Sequence, residues 1–246
     1  MDYLKFRRSR IILAAFALFS ILVVAFPGID LYISRLFFHG GFPRDQWWQT
    51  LLHDALNGFL CLSLGAVVVV FGVNRLLKRN YLGIDARRVV YLFLVLIIGG
   101  GLIVNVAFKD TFGRARPRDV VEFGGTKRFT PAFVVSHECK TNCSFSSGDS
   151  AGGFFALALA LALSRRRAMF LVALAIGTGV SLGRISSGAH FFSDTVVSFF
   201  VMLIVADALW YYVVLTHAGR RAFRRLDAHR PAFGLVPGAS TRRRVA

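Results

Sequence analysis

The chain has 246 residues, is 55% hydrophobic and carries a formal net charge of +17. A soluble domain cannot shelter that much apolar side chain, whereas a bilayer takes the apolar runs and leaves the basic residues outside. Soluble classes are thereby excluded, an all-α polytopic membrane protein is expected, and the positive charge is assigned to membrane lipid rather than to a nucleic acid.

Taken in chain order, a basic segment with Lys5, Arg7, Arg8 and Arg10 precedes a first apolar run over 11–31. The run is long for a secretory leader and is followed by no small-x-small cleavage pattern, so an uncleaved anchor is expected. Trp47 and Trp48 fit an aromatic belt at the outer interface and introduce a second span over 55–77, in which Cys61 is a small packing residue. A third span covers 89–108. Beyond it, 109–147 forms one long loop, and loops of that length are usually functional or disordered. Further spans follow over 150–163, the shortest, then 169–185 and 194–216, with Trp210, Tyr211 and Tyr212 as an inner belt. In lipid each span should be helical, because unpaired backbone amides there cost several kcal/mol apiece.

The expected architecture is a six-helix transmembrane bundle in a single domain, 1–246, with its core at about 11–216. The tail over 217–246 is rich in arginine, with Pro231 and Pro237, and reads as a basic arm drawn to anionic lipid by about 1 kcal/mol per charge. With both termini cytoplasmic, most of the 30 basic residues fall inside, as topology rules require. Half of the remainder cluster between Lys109 and Lys127, which points to a role other than fixing orientation.

Three clusters then fall at the outer surface. They are Lys109 to Pro117, Ser146-Ser147-Gly148-Asp149, and Arg184 with His190 and Asp194 after it. Lys109, Arg116 and Arg184 supply the positive charge a phosphoryl group demands, arginine with bidentate geometry. Ser147 and Gly148 open a helix whose first amides can point at an anion. His190 and Asp194, four apart, are expected on one helix face, where the carboxylate holds one ring nitrogen and frees the other to attack phosphorus. Taken singly each pattern has a plainer reading: interfacial cations as topology signals, a lone histidine as a surface or core residue, the serine before Asp149 as a capping box. Their coincidence on one face favours the chemical reading.

The pattern K-x6-R-P, then S-G, then R-x5-H-x3-D resembles the three-part signature of the type 2 phosphatidic acid phosphatase superfamily. That resemblance implies a metal-independent phosphatase with no cofactor and a six-helix core. His190 would carry the phosphoryl group and Asp194 would orient it, while Lys109, Arg116, Ser147, Gly148 and Arg184 hold the phosphate. The family usually places P-S-G-H where this chain has Ser146 to Asp149, so the usual proton donor is missing. In one reading Asp149 is itself the acid, and in the other it is a mere cap with His137 or water as donor; both readings stand. Ser146 in place of proline is expected to matter little, since serine caps a helix well. The run from Cys143 to Asp149, with Cys139 upstream, is similar to a branch that removes the 4′-phosphate of lipid A.

Cys139 and Cys143 lie in the outer loop, in what would be an oxidising compartment, and a local disulfide is expected rather than two free thiols. His137 and Glu138 are too few to complete a zinc site beside them, and no metal is expected. The substrate is therefore expected to be a phosphorylated lipid, with lipid A first. Undecaprenyl pyrophosphate or a phosphatidylglycerophosphate-type lipid is the second reading, and a non-catalytic lipid-binding or transport protein the third. The sequence fixes no oligomeric state.

Overall fold

The computed structural model describes residues 7–43, 47–164 and 166–216. The basic tail over 217–246, with Lys5, Arg44 and Arg165, lies outside the described residues.

The first helix, α1 (Arg7–Ala25), stops short of the expected boundary at 31. Pro27 is the reason: its ring offers no amide hydrogen and collides with the carbonyl one turn back. The chain re-enters helix as α2 (Gly28–Arg35), which buries Asp30 and Ser34 at one end of the bundle. Helix α3 (Trp47–Leu76) has 30 residues and begins well ahead of the expected position 55. Its length of roughly 45 Å exceeds a hydrocarbon core of about 30 Å. Its first turns, with Gln49, His53 and Asp54, therefore continue a helix into the polar interface, where hydropathy gives no signal.

At the opposite end, Asn74 clips the α3–α4 turn: its amide donates to the carbonyls of Tyr81 (3.1 Å) and Ile84 (3.0 Å) and accepts from the Tyr81 amide (2.8 Å). Asp85 caps α4 (Ala86–Leu94), accepting from the Arg88 amide. This helix runs on as a π-wound stretch, Val95–Lys109, and one last turn, Asp110–Phe112. Helix α5 (Gly148–Leu163) follows the long loop, then α6 (Arg167–Ser186) and α7 (Phe192–Leu209), which is extended by a π-wound Trp210–Leu215.

Among the described residues, five helical spans are long and apolar enough to cross a membrane, while α5 is shorter. The shortness of α5 has a physical explanation. Every residue from Ala156 to Ala162 is buried, so the ALALALAL run faces neighbouring helices on all sides and has no bilayer thickness to match. It packs against α6 and α7, with α3 and α4 beyond. The α5–α6 crossing is close because Gly177 has no side chain: a Cβ there would collide with the Phe154 ring. Large apolar side chains on α1, α3 and α6 face outward instead, Leu18, Leu62 and Leu171 among them, as a lipid-facing surface requires.

The ends of the bundle differ. The end with Arg7 and the α3–α4 turn, here the terminal end, is tied by Asp207, which accepts from Ser9 (3.1 Å) and pairs with Arg8 (3.2 Å). At the other, the loop end, the C-terminus of α4, the N-terminus of α5, the end of α6 and the start of α7 come together beneath the 113–147 loop. All three sequence clusters arrive there.

Candidate active site

The loop end is organised by a buried guanidinium. Arg114 is 1% exposed, and its Nη1 donates to Asp194 Oδ1 (2.5 Å) and Ser193 Oγ (2.9 Å), its Nη2 to Asp30 Oδ2 (2.8 Å) and its Nε to the Thr130 carbonyl (2.8 Å). The Phe191 ring stacks on it, 4.3 Å from centroid to guanidinium carbon. Asp30 also accepts from the Ser193 amide and hydroxyl. A buried charge is tolerated only when paired and fully hydrogen-bonded. Here one arginine satisfies two carboxylates and so locks α2 and α7 to the loop.

Asp194 is the hub. Its other oxygen accepts from the Phe191 amide (2.8 Å), capping α7, and from the Ser144 hydroxyl (2.5 Å). His190 lies at 3.7 Å from that oxygen, outside hydrogen-bond range, and its Nδ1 instead meets the Ser144 carbonyl at 2.7 Å. The sequence expectation needs correcting on this point. His190 precedes α7, which starts at Phe192, so the pair does not share a helix face. Ser144 mediates between them, carbonyl to the imidazole and hydroxyl to the carboxylate. It is held in place by Phe145, fully buried among the rings of Phe108, Phe112 and Phe133 at 5.0–5.3 Å.

A carbonyl only accepts, so Nδ1 carries the hydrogen and Nε2 keeps a free lone pair. Burial of His190 is the largest influence on its protonation and lowers the pKa to about 4. The Asp194 carboxylate pulls the other way, and Arg116 and Arg184 push it down further. At neutral pH the ring is uncharged, the state a nucleophile needs.

Around this ring the cations converge. Arg116 is buried and held bidentately by the Asn142 carbonyl, at 2.7 Å from Nη2 and 3.1 Å from Nε. Asn142 belongs to the short loop closed by the Cys139–Cys143 disulfide. Lys109, Arg116, Arg184 and Asp149 lie within one another's fields, and His190 within those of Arg116 and Arg184. Gly148 opens α5 beside Lys109: a Cβ placed there would be 3.7 Å from the ammonium and 3.0 Å from Asn105 Oδ1.

Ser147, not Ser146, caps α5, its hydroxyl accepting from the Ser150 amide at 3.3 Å. Asp149 is therefore no partner in a capping box. It turns to the cradle, where its Oδ2 pairs with Arg184 Nε at 3.1 Å and its Oδ1 meets His53 Nδ1 of α3 at 3.4 Å. His137 is exposed on the loop. Among the described residues, no group of three or more His, Cys, Asp or Glu side chains could hold a metal ion.

The structure thus brings together all eight of His190, Asp194, Asp149, Lys109, Arg116, Ser147, Gly148 and Arg184. It adds four that sequence reasoning missed: Arg114, Asp30, Ser144 and His53. A signal existed for Asp30, since a carboxylate at the end of an apolar run needs a partner.

The PAP2 superfamily model matches residues 89–217, from α4 past the end of α7. The chain is 32% identical over 208 residues to a lipid A 4'-phosphatase of Francisella tularensis subsp. novicida (strain U112), covering 80% of this chain and 90% of that protein. It is 36% identical to a lipid A 4'-phosphatase of Rhizobium leguminosarum, covering 75% and 87% of the two chains. A third, from Rhizobium etli (strain ATCC 51251 / DSM 11541 / JCM 21823 / NBRC 15573 / CFN 42), is 34% identical over 75% and 79%. No solved structure gives a significant match.

Proposed function

Because this chain belongs to the PAP2 superfamily, we propose that it is a multi-pass bacterial membrane phosphatase that removes the 4′-phosphate of lipid A through a phosphohistidine at His190. The observation that carries the mechanism is the Nδ1 contact with the Ser144 carbonyl, which leaves Nε2 as the only ring atom with a lone pair to offer.

Phosphate enters the cationic cradle of Lys109, Arg116 and Arg184, with Ser147 and Gly148 at its edge. These charges stabilise the equatorial oxygens as the transition state spreads charge onto them. Nε2 of His190 attacks phosphorus in line, the bond to the sugar oxygen breaks, and that oxygen leaves with the electron pair and gains a proton. The phosphorylated imidazolium is positive, and Asp194, bonded to Arg114 and Ser144, offsets that charge from 3.7 Å. Water then attacks phosphorus, and the electrons of the N–P bond return to Nε2. A protein that only bound lipid would have no use for a neutral imidazole held in this tautomer.

The basic residues Arg8, Arg75 and Arg87 sit at the terminal end, opposite the site. That placement supports cytoplasmic termini and a periplasmic active site in the inner membrane.

Purified protein in detergent should release one phosphate per lipid A, with the product lighter by one phosphate at the 4′ position in mass spectra. His190→Ala should lower the rate by about 10⁴-fold or more. A His190→Ala protein that still turns over the lipid defeats the mechanism, and a wild type that spares lipid A while cleaving a prenyl diphosphate defeats the substrate.

A further inference from the structure

The family's usual proton donor is absent from the second motif, and an aspartate stands in its place. Asp149 is already engaged in the cradle, its Oδ2 lying 3.1 Å from Nε of the Arg184 guanidinium. The same carboxylate reaches across to a histidine on another helix.

Three observations bear on His53, which stands beside the phosphate cradle. Its Nδ1 lies 3.4 Å from Asp149 Oδ1, while the other carboxylate oxygen is held by Arg184, so one aspartate separates the imidazole from the phosphate cradle. The tip of α3 reaches this position because Gly183 has no side chain: Leu52, the neighbour of His53, lies over it, and an added Cβ would come within 2.5 Å of Leu52 Cδ2. Finally, the two histidines differ in exposure. The side chain of His190 is 2% exposed, whereas that of His53 is 52% exposed. In-line displacement puts the departing oxygen on the side of phosphorus away from the attacking nitrogen. For a nucleophile at the floor of the cradle, that side is the open mouth where His53 stands.

We propose that His53 is the general acid of this phosphatase, with Asp149 as the positioning residue that holds it and fixes its tautomer. The proposal rests on the phosphatase reading above. As the P–O bond to the lipid breaks, the oxygen takes the electron pair and the proton on Nε2 of His53, leaving a neutral imidazole. In the second step the attacking water gives a proton back to that nitrogen while the N–P electrons return to His190. The net change is ester plus water to alcohol plus phosphate, with His53 and His190 both restored. The histidine that the motif lacks is thus supplied from α3, and the aspartate in its place serves as the anchor.

The test uses the full-length protein in detergent and two phosphomonoesters on the same lipid tail, one an alkyl ester and one a nitrophenyl-type ester whose oxygen needs no proton to depart. His190→Ala should abolish both activities, which secures the parent reading independently. His53→Gln should slow the alkyl ester by about 10²-fold and leave the aryl ester within a few-fold, the latter also showing that the variant is folded. Asp149→Asn should show the same selectivity, and the double variant should be no slower than the slower single one. Equal losses on both esters, or none on either, overturn the assignment. A selective loss in Asp149→Asn without one in His53→Gln also overturns it and gives the acid role to Asp149.

Discussion

Two arginines at the loop end meet carboxylates, Arg114 two of them and Arg184 one, and the two clusters have opposite fates. Arg114 is sealed between Asp30 and Asp194, every nitrogen bonded and an aromatic ring stacked on its face. Arg184 meets Asp149 with both side chains partly exposed, at 18% and 23%, and with a half-open histidine as the third member. Both contacts join a guanidinium to a carboxylate, but that of Arg184 Nε is an ion pair without a formed hydrogen bond. Burial decides whether it is a fixture of the fold or a surface that can exchange partners with an arriving phosphate. A salt bridge out of water leaves a stranded charge when broken, whereas a hydrated one can be remade with a ligand.

The sharpest break of this comparison is Arg114→Leu. It leaves Asp30 and Asp194 buried without their countercharge and should cost about 3–5 kcal/mol, read as loss of folded protein in a thermal melt in detergent. Arg184→Gln should leave the melt almost unmoved and lower kcat by about 10²–10³-fold, since its charge is used in the transition state. If both variants unfold, the distinction between the two clusters is wrong.

Protonation probes the same boundary. The His190 pKa is depressed, so its reactive neutral form persists as the pH falls and is lost only on passing through about 4. The part of the acid limb of kcat/KM that reports this group should therefore lie well below the ordinary imidazole value of about 6.5. An acid limb near 6.5 in the wild type, matched by an NMR titration of the His190 ring at that pH, would show the ring to be solvated. Smaller again is the expected effect of reducing Cys139–Cys143, which frees the loop carrying the Asn142 carbonyl and slackens its hold on Arg116. KM should rise several-fold with kcat less affected, measured with and without reductant. Least of all, Arg8→Ala at the terminal end removes a pair whose arginine is 53% exposed and should shift stability by under about 1 kcal/mol.

The apolar runs made the helices legible, and three short motifs made the cradle legible, because a phosphoryl group demands cations and a nucleophile whatever the fold. What escaped the sequence depended on geometry. In Arg114-Ala115-Arg116, nothing in residue type says that one guanidinium faces inward to two aspartates and the other toward the cradle. Ser144 contributes through its backbone carbonyl, a group every residue possesses. Asp30 was hidden inside what read as one span until Pro27 divided it. His53 lay in a stretch too polar to count as membrane and too far along the chain from any motif to be joined to one. His190 and Asp194 differ in kind: a spacing of four suggests one helix face, whereas His190 lies ahead of α7 and Ser144 bridges the two side chains.

The central position of α5 bears on how this enzyme meets a changing membrane. Helices on the perimeter tilt or slide when a bilayer thickens, thins or changes its lipids. Shielded by its neighbours along Ala156 to Ala162, α5 takes no direct part in that adjustment. Its first residue, Gly148, sits beside Lys109, so the cradle rests on a pillar insulated from the surrounding fluid. Turnover should accordingly tolerate host membranes of different composition better than the stability of the outer helices does.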